Sequence, residues 1–150
     1  MSQGRFRPVA LRQVDAGDAR DAGDVHHPDS LAISASLLHH TVTDLCNVLP
    51  EEGVGLWSGH GRDVRTWTFL PNAAQDRLVR YAVQPQDWIA VLRAVSSRGE
   101  IPLALVHSHP TTPAVPSDYD QSHWHYPDLW CVIFSFAGET PQCNAYKFGK

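Results

Sequence analysis

An apolar run that leads directly into two histidines constrains the fold of this chain more than any other feature. Residues 101–106 (IPLALV) form a short, uninterrupted apolar stretch that is typical of a buried β-strand. His107 and His109 follow at once, and side chains two apart on a strand point to the same face. The sequence therefore predicts a buried strand that presents two imidazoles at one point.

A serine and an aspartate follow the histidines at short range. Pro113 and Pro116 restrict the intervening loop, so that Ser117 can cap a short helix and Asp120 can turn back towards the histidines. By itself, S-x-x-D is more often a capping box than a metal site. Behind a buried strand that ends in H-x-H, the joint pattern predicts three metal ligands with a fourth position left open, as in catalytic zinc sites.

A hydrolytic zinc site also needs a carboxylate that accepts and returns a proton without binding the metal. Glu51 and Glu52 follow Pro50 and directly precede a candidate strand (VGLWSGH). The spacing does not choose between the two glutamates. The plain alternative is a solvated charge pair in a turn.

The hydrophobic periodicity places these motifs in a mixed fold. A helix is expected from the N-cap Ser34 to Pro50, a second from Pro85 to Gly99, and a short third from Ser117. Strands are expected at residues 54–60, 64–70, 78–83, 101–106, 129–136 and 143–148, and an edge strand at residues 5–14, followed by a loop or disordered arm around residues 15–24. The order indicates an α/β (α+β) class with a single mixed β-sheet flanked by helices.

Composition excludes several function classes. The formal charge of −4 and the lack of a basic run argue against a nucleic-acid partner. No apolar run approaches the roughly 20 residues of a membrane span, and the first residues lack a secretory signal. We therefore expect a cytoplasmic protein without a membrane partner that acts on a small molecule or another protein, while its oligomeric state stays open.

The chain resembles the JAMM (MPN-plus, JAB-type) metalloprotease family, in its compact prokaryotic form. The resemblance is carried by PEEGVGLWSG, then HSHP, then PSDYD, and it covers roughly residues 30–150. That range is the predicted metalloprotease domain, and residues 1–29 are predicted to form an N-terminal arm. The family signature is a Glu ahead of a Gly-Leu-x-x-Gly strand, then H-x-H-P, then S-x-x-D. One departure is Val54, which stands where many bacterial members have Cys.

The resemblance implies a cytidine-deaminase-like JAB/MPN architecture and a zinc-dependent peptidase or isopeptidase. Its substrates would be ubiquitin-like or sulfur-carrier (β-grasp) proteins, cut after their Gly-Gly tail. Aligned on Gly55-Leu56-x-x-Gly59, the general base would be Glu52. The zinc ligands would be His107, His109 and Asp120, and Ser117 would donate a hydrogen bond to the developing oxyanion.

Two other kinds of protein are compatible with parts of the pattern. A metal-binding recognition module could dock a carrier without cleaving it, although binding alone needs no general base such as Glu52. A purely structural zinc domain normally has four protein ligands, and this chain offers three. A nucleobase deaminase would need a downstream P-C-x-x-C, which is absent from the sequence.

Overall fold

The structure is a computed structural model that describes residues 5–14 and 29–149. Within these ranges it contains seven strands and three helices. In chain order they are β1 (Arg5–Val14), β2 (Ser30–Ser34), α1 (Ala35–Asn47), β3 (Val54–His60), β4 (Asp63–Leu70), α2 (Pro85–Ser97), β5 (Ile101–His109), α3 (Asp118–Ser122), β6 (Trp130–Ser135) and β7 (Gln142–Gly149).

The strands form one mixed sheet in the order β1-β2-β4-β3-β5-β6-β7. Strands β1 and β2 are parallel, as are β2 and β4, and β5 and β6; the other neighbours are antiparallel. Strand β1 also pairs with β7, which closes the order on itself. The predicted α+β class with one sheet flanked by helices is confirmed.

Helices α1 and α2 cover opposite faces of the sheet, as the alternation of side chains along β3 shows. Trp57 belongs to a core cluster that includes Leu45 of α1, whereas its neighbour Leu56 belongs to a second cluster that includes Val91 of α2. In β5, Leu105 lies in this second cluster, and His107 and His109 share its side of the strand by the two-residue period. The two histidines therefore point to the α2 face.

Local sequence accounts for the ends of these helices. The Ser34 hydroxyl accepts a hydrogen bond from the Leu37 N–H at 3.1 Å, which satisfies one free donor of the first turn of α1. Pro85 occupies the first turn of α2, where a missing N–H is harmless. Gly99 adopts a positive φ of 72° just beyond α2, a conformation that favours glycine. All three boundaries were predicted.

Two predictions about strands are wrong, and one strand was missed. Arg5–Val14 is a strand but not an edge strand, because it hydrogen-bonds to both β2 and β7. Residues 78–83 are not a strand; Leu78 and Val79 are 56% and 60% exposed, so no sheet face is available to bury them. Strand β2 was not expected before α1. The predicted loop at residues 15–24 lies outside the described residues.

No helix in the described part of the chain is both long enough and apolar enough to cross a membrane. The cytoplasmic compartment and the domain boundary at residue 30 stay predictions.

Candidate active site

Strand β5 carries the two histidines to a buried position at its C-terminal end. His107 is fully buried and His109 is 4% exposed. His107 lies opposite Val54 of antiparallel β3, so the start of β3 and the segment before it adjoin the imidazoles. On the other side of β3, Gly55 leaves room for the Trp67 ring of strand β4, because a Cβ there would collide with that ring. The strand end is a rigid platform for a site.

Asp120 reaches the histidines from the first turn of α3. The Ser117 hydroxyl accepts the Asp120 N–H at 3.0 Å, and Asp120 Oδ2 accepts the Ser117 N–H at 2.9 Å, which completes a capping box. The box fixes the carboxylate and leaves the Ser117 O–H free to donate elsewhere. Ser117 is exposed, whereas Asp120 is 7% exposed. The structure thus brings the predicted serine and aspartate together beside H-x-H.

Three atoms of this group converge on one point. The Nε2 atoms of His107 and His109 are 3.2 Å apart, and Asp120 Oδ2 lies 3.4 Å from the former and 3.1 Å from the latter. Tetrahedral ligands about 2.0–2.1 Å from a zinc ion are about 3.3 Å from each other. The three residues therefore fit a metal ion.

The surroundings of the two imidazoles are compatible with ligation, with a hydrogen bond behind His109 and a stacked ring on His107. The Nδ1 atom of His109 lies 2.8 Å from the Pro113 carbonyl oxygen. A carbonyl only accepts, so Nδ1 carries a proton, and in the neutral form of the ring the Nε2 lone pair would be the one available to a metal ion. The Tyr81 ring stacks on His107, with ring centroids 4.4 Å apart. Both rings are therefore held in orientation.

Glu52 lies against the same group, whereas Glu51 does not. Glu52, His107 and His109 each offer a ligand atom within 4.8 Å of the other two. Glu52 is 5% exposed, and its Oε1 is buried without a hydrogen-bond partner. The Glu51 side chain is 38% exposed and pairs with Arg77 at 3.1 Å. The geometry thus separates two glutamates that spacing alone left open.

Burial and mutual contacts shift the pKa values of this group. Burial raises the pKa of Glu52 to about 8, although the nearby His109 opposes the shift. Burial lowers the pKa of His107 and outweighs its contact with Asp120. For His109, bonds to Asp120 and Pro113 outweigh burial and raise the pKa. For Asp120, hydrogen bonds from the histidines outweigh burial and hold the pKa well below its usual range.

Sequence reasoning missed Ser108, the residue between the histidines. Its side chain is fully buried and points away from the imidazoles, where the hydroxyl accepts the Gly53 N–H at 2.8 Å. The Ser108 N–H donates to the Gly53 carbonyl at 3.0 Å. Ser108 thus fastens the residue after Glu52 to β5. The available signal was a serine that alternates with the two histidines at the end of the apolar run.

Other candidate residues lie outside the ligand group. A second H-x-H pair, His123 and His125, follows the end of α3, and His123 already has a partner because its Nδ1 lies 3.1 Å from the Tyr119 carbonyl oxygen. His60 lies at the end of β3 far from His107. Trp57 is a core residue and Trp67 packs against the same cluster.

Comparison with known proteins agrees with this geometry. A family model described as prokaryotic homologs of the JAB domain matches residues 34–148. The chain belongs to this family. A Thermus thermophilus protein named as a probable TtuB-protein conjugate cleaving protease is 35% identical over 133 residues, which cover 87% of each chain. A Haloferax volcanii desampylase is 32% identical over 111 residues, covering 71% of this chain and 79% of the relative.

Solved structures support the same fold. The solution structure of a Desulfitobacterium hafniense protein superposes with a TM-score of 0.70 at 25% sequence identity, covering 79% of this chain and 88% of that one. Together with the family match, this likeness confirms the JAB/MPN architecture expected from the sequence. Membership in a family whose named relatives are proteases makes the chain a hydrolase of the peptidase class.

Proposed function

We propose that this JAB-family hydrolase is a zinc-dependent peptidase or isopeptidase that cuts after the Gly-Gly tail of a ubiquitin-like or sulfur-carrier protein. One observation carries the proposal: three converging ligand atoms lie beside a buried glutamate whose Oε1 has no partner. The substrate class follows from the relative that is named for cleaving protein conjugates.

Zinc is the metal that this donor set favours. His107 and His109 supply two imidazole nitrogens and Asp120 supplies one carboxylate oxygen, a combination common to catalytic zinc sites. Three protein ligands leave one position for water or substrate. When bound, zinc polarises a carbonyl and lowers the pKa of a coordinated water from 15.7 to about 7.

Glu52 is the proton carrier in this proposal. Its carboxylate lies close enough to the ligand group to take a proton from the attacking water and later return it to the leaving amine. The elevated pKa in the metal-free protein has burial as its main cause, and burial also protects the transferred proton from exchange with solvent. Because no hydrogen bond occupies Oε1, this oxygen is available to the reacting water.

Ser117 is proposed to stabilise the oxyanion of the tetrahedral intermediate. Its hydroxyl oxygen already accepts the Asp120 N–H, so the O–H can donate into the exposed space next to Asp120. A preorganised donor of this kind acts only on charge that develops during the reaction. Its position at the start of α3 keeps it next to the metal ligand.

The alternative of a recognition module that docks a carrier without cleavage accounts less well for Glu52. A docking module gains nothing from a buried carboxyl group with an unpartnered oxygen, which costs stability. An enzyme needs this group free for the reacting water.

A cleavage assay tests the proposal directly. The zinc-loaded protein is incubated with a panel of β-grasp carriers, each ending in Gly-Gly and fused to a reporter protein, with and without a chelator. Mass spectrometry should find a new C-terminus after Gly-Gly only when zinc is present. Glu51→Gln, in the exposed neighbour of the base, should cleave like the wild type. Tight binding with no product across the panel would support the recognition module instead.

A further inference from the structure

Each backbone N–H and carbonyl group of Glu52 and Gly53 has a hydrogen-bond partner. The Glu52 N–H donates to the Arg77 carbonyl at 2.7 Å, and the Glu52 carbonyl accepts from Asn72 Nδ2 at 2.9 Å. In the next residue, the Gly53 N–H donates to Ser108 Oγ and the Gly53 carbonyl accepts the Ser108 N–H. The carboxylate without a partner on Oε1 therefore stands on a firmly anchored dipeptide.

Asn72 is central to this anchoring because all of its hydrogen-bonding capacity is used on the backbone. Besides the bond to Glu52, its amide donates to the Arg80 carbonyl at 2.9 Å. Its Oδ1 accepts the Ala74 N–H at 3.0 Å and the Ala82 N–H at 3.1 Å. A side-chain amide has two donor hydrogens and two acceptor lone pairs, and here each has a backbone partner.

These bonds fasten residues 72–82 into a loop that spans the site. The Ala73 N–H donates to the Ala82 carbonyl at 2.8 Å, which closes the loop next to Asn72. Tyr81, between the Arg80 and Ala82 groups that Asn72 binds, stacks on the buried ring of His107. One loop thus contacts the backbone of Glu52 and the imidazole of a proposed metal ligand, and Asn72 is the side chain that holds the Glu52 carbonyl.

We propose that Asn72 is a positioning residue for Glu52. It touches no reacting group and acts through the Glu52 carbonyl, which it holds at a fixed distance from the loop. Because Glu52 Oε1 has no partner of its own, the backbone determines where the carboxylate lies. This inference rests on the proposed role of Glu52 as the base.

The experiment uses the full zinc-loaded chain and a carrier-reporter fusion with a Gly-Gly junction. Asn72→Asp keeps an acceptor for the Ala74 and Ala82 N–H groups but cannot donate to Glu52. Asn72→Ala removes all four bonds. The matched control is Asp76→Asn, the reverse exchange at an exposed position of the same loop.

Both Asn72 variants should lower kcat by about 10- to 100-fold, because small misplacement of a catalytic group is costly. KM should stay within about twofold and zinc content should be unchanged, while the Asp76→Asn control should match the wild type. In a Glu52→Gln background, Asn72→Asp should cause little further loss, because the two residues act as one unit. Wild-type kcat in Asn72→Asp, or an equal additional loss in the Glu52→Gln background, would overturn the positioning role.

Amide hydrogen exchange measured by NMR tests the same unit without substrate. The Glu52 N–H donates to the carbonyl of Arg77, which lies in the loop that Asn72 holds. Asn72→Asp should therefore accelerate exchange at the Glu52 N–H relative to Asp76→Asn, and unchanged exchange would count against the proposal. Hydrogen exchange and cleavage measured together distinguish failure of the proposed function from failure of the positioning role. If no carrier is cleaved but exchange accelerates, the proposed function fails while the structural link stands. If Glu52→Gln is inactive but Asn72→Asp cleaves normally, only the positioning role fails.

Discussion

A buried glutamate and a partly buried one lie at opposite ends of the β3–β5 pair and have opposite surroundings. Glu52 precedes β3, is 5% exposed and has no hydrogen-bond partner on Oε1. Glu100 precedes β5, and its side chain is 8% exposed, but it accepts bonds from Ser58 and Thr66 at 2.9 Å and from Arg98 at 3.3 Å. Glu52 is the more deeply buried of the two, and only Glu100 has a hydrogen bond on each of its carboxylate oxygens.

The pKa values show what these partners do. Burial is the largest influence at both glutamates and raises the pKa. At Glu52 little opposes it, and the pKa rises to about 8. At Glu100 the hydrogen bonds and the Arg98 charge outweigh burial, and the pKa falls below its usual value. A buried carboxylate with a full set of partners stabilises the fold, whereas one without them is available for chemistry.

The largest expected effect comes from replacing a histidine at each end of the β3–β5 pair, His109 at the site end and His60 at the other. His109→Ala removes a proposed metal ligand and should reduce cleavage to background. In the wild type, zinc at about 100 times its Kd should raise the unfolding free energy by about 2.7 kcal/mol, and His109→Ala should gain almost none of this. His60→Ala, at the other end of β3, is the control. Calorimetry and a cleavage assay check both; equal zinc stabilisation of the two variants would contradict the ligand assignment.

Ser117→Ala should lower kcat by about 10²–10³-fold, the usual cost of losing one oxyanion donor. It should also destabilise α3 slightly, because the cap to the Asp120 N–H is lost. Ser117→Thr retains a hydroxyl and should recover most of the rate. A full rate in Ser117→Ala, measured by steady-state kinetics with zinc bound, would remove Ser117 from the mechanism.

Glu100→Gln should leave cleavage intact and cost about 1.5–3 kcal/mol of stability at neutral pH, the usual value of hydrogen bonds to a charged group. Because the pKa of Glu100 is lower in the folded state than the reference value of 4.5, its contribution is present above pH 4.5. It is lost as the pH falls through the folded value. Urea unfolding across this range should therefore show a flatter pH profile for the variant; parallel profiles would refute the claim.

The smallest expected effects come from two buried serines. Ser108 accepts the Gly53 N–H at the site end of β5, and Ser58 donates to Glu100 at the other end of the pair. Each Ser→Ala change should cost about 1 kcal/mol in denaturant unfolding. Only Ser108→Ala should also slow cleavage, since it loosens the backbone next to Glu52. A matching loss of activity in Ser58→Ala would erase the contrast between the ends.

Much of the site was predictable because it depends on local periodicity. Two-residue alternation on β5 places His107 and His109 on one face, and S-x-x-D makes the capping box that presents Asp120. Spacing could not choose between Glu51 and Glu52, because the choice depends on packing against β5, more than 50 residues away. The resemblance to the family supplied that assignment before the geometry did.

The remaining features depend on contacts between distant segments. Ser108 and Asn72 contact the Glu52–Gly53 backbone across 55 and 20 positions respectively, and no periodic pattern reports such bonds. Residues 78–83 have a strand-like composition, but their segment is organised by the Asn72 hydrogen bonds. Strand β2 is five residues long and runs directly into α1, so its apolar residues blend with the helical pattern.

The most direct test of the contrast is a side-by-side measurement of cleavage rate and thermal unfolding in zinc-loaded Glu52→Gln and Glu100→Gln. We expect Glu52→Gln to lose about 10²–10⁴-fold in rate, because the variant removes the proposed general base. Its Tm should be unchanged or higher, because Oε1 makes no hydrogen bond that the substitution could break. Glu100→Gln should keep its rate, and its Tm should fall by about 2–4 °C per kcal/mol lost. A wild-type rate in Glu52→Gln with zinc bound would contradict the account.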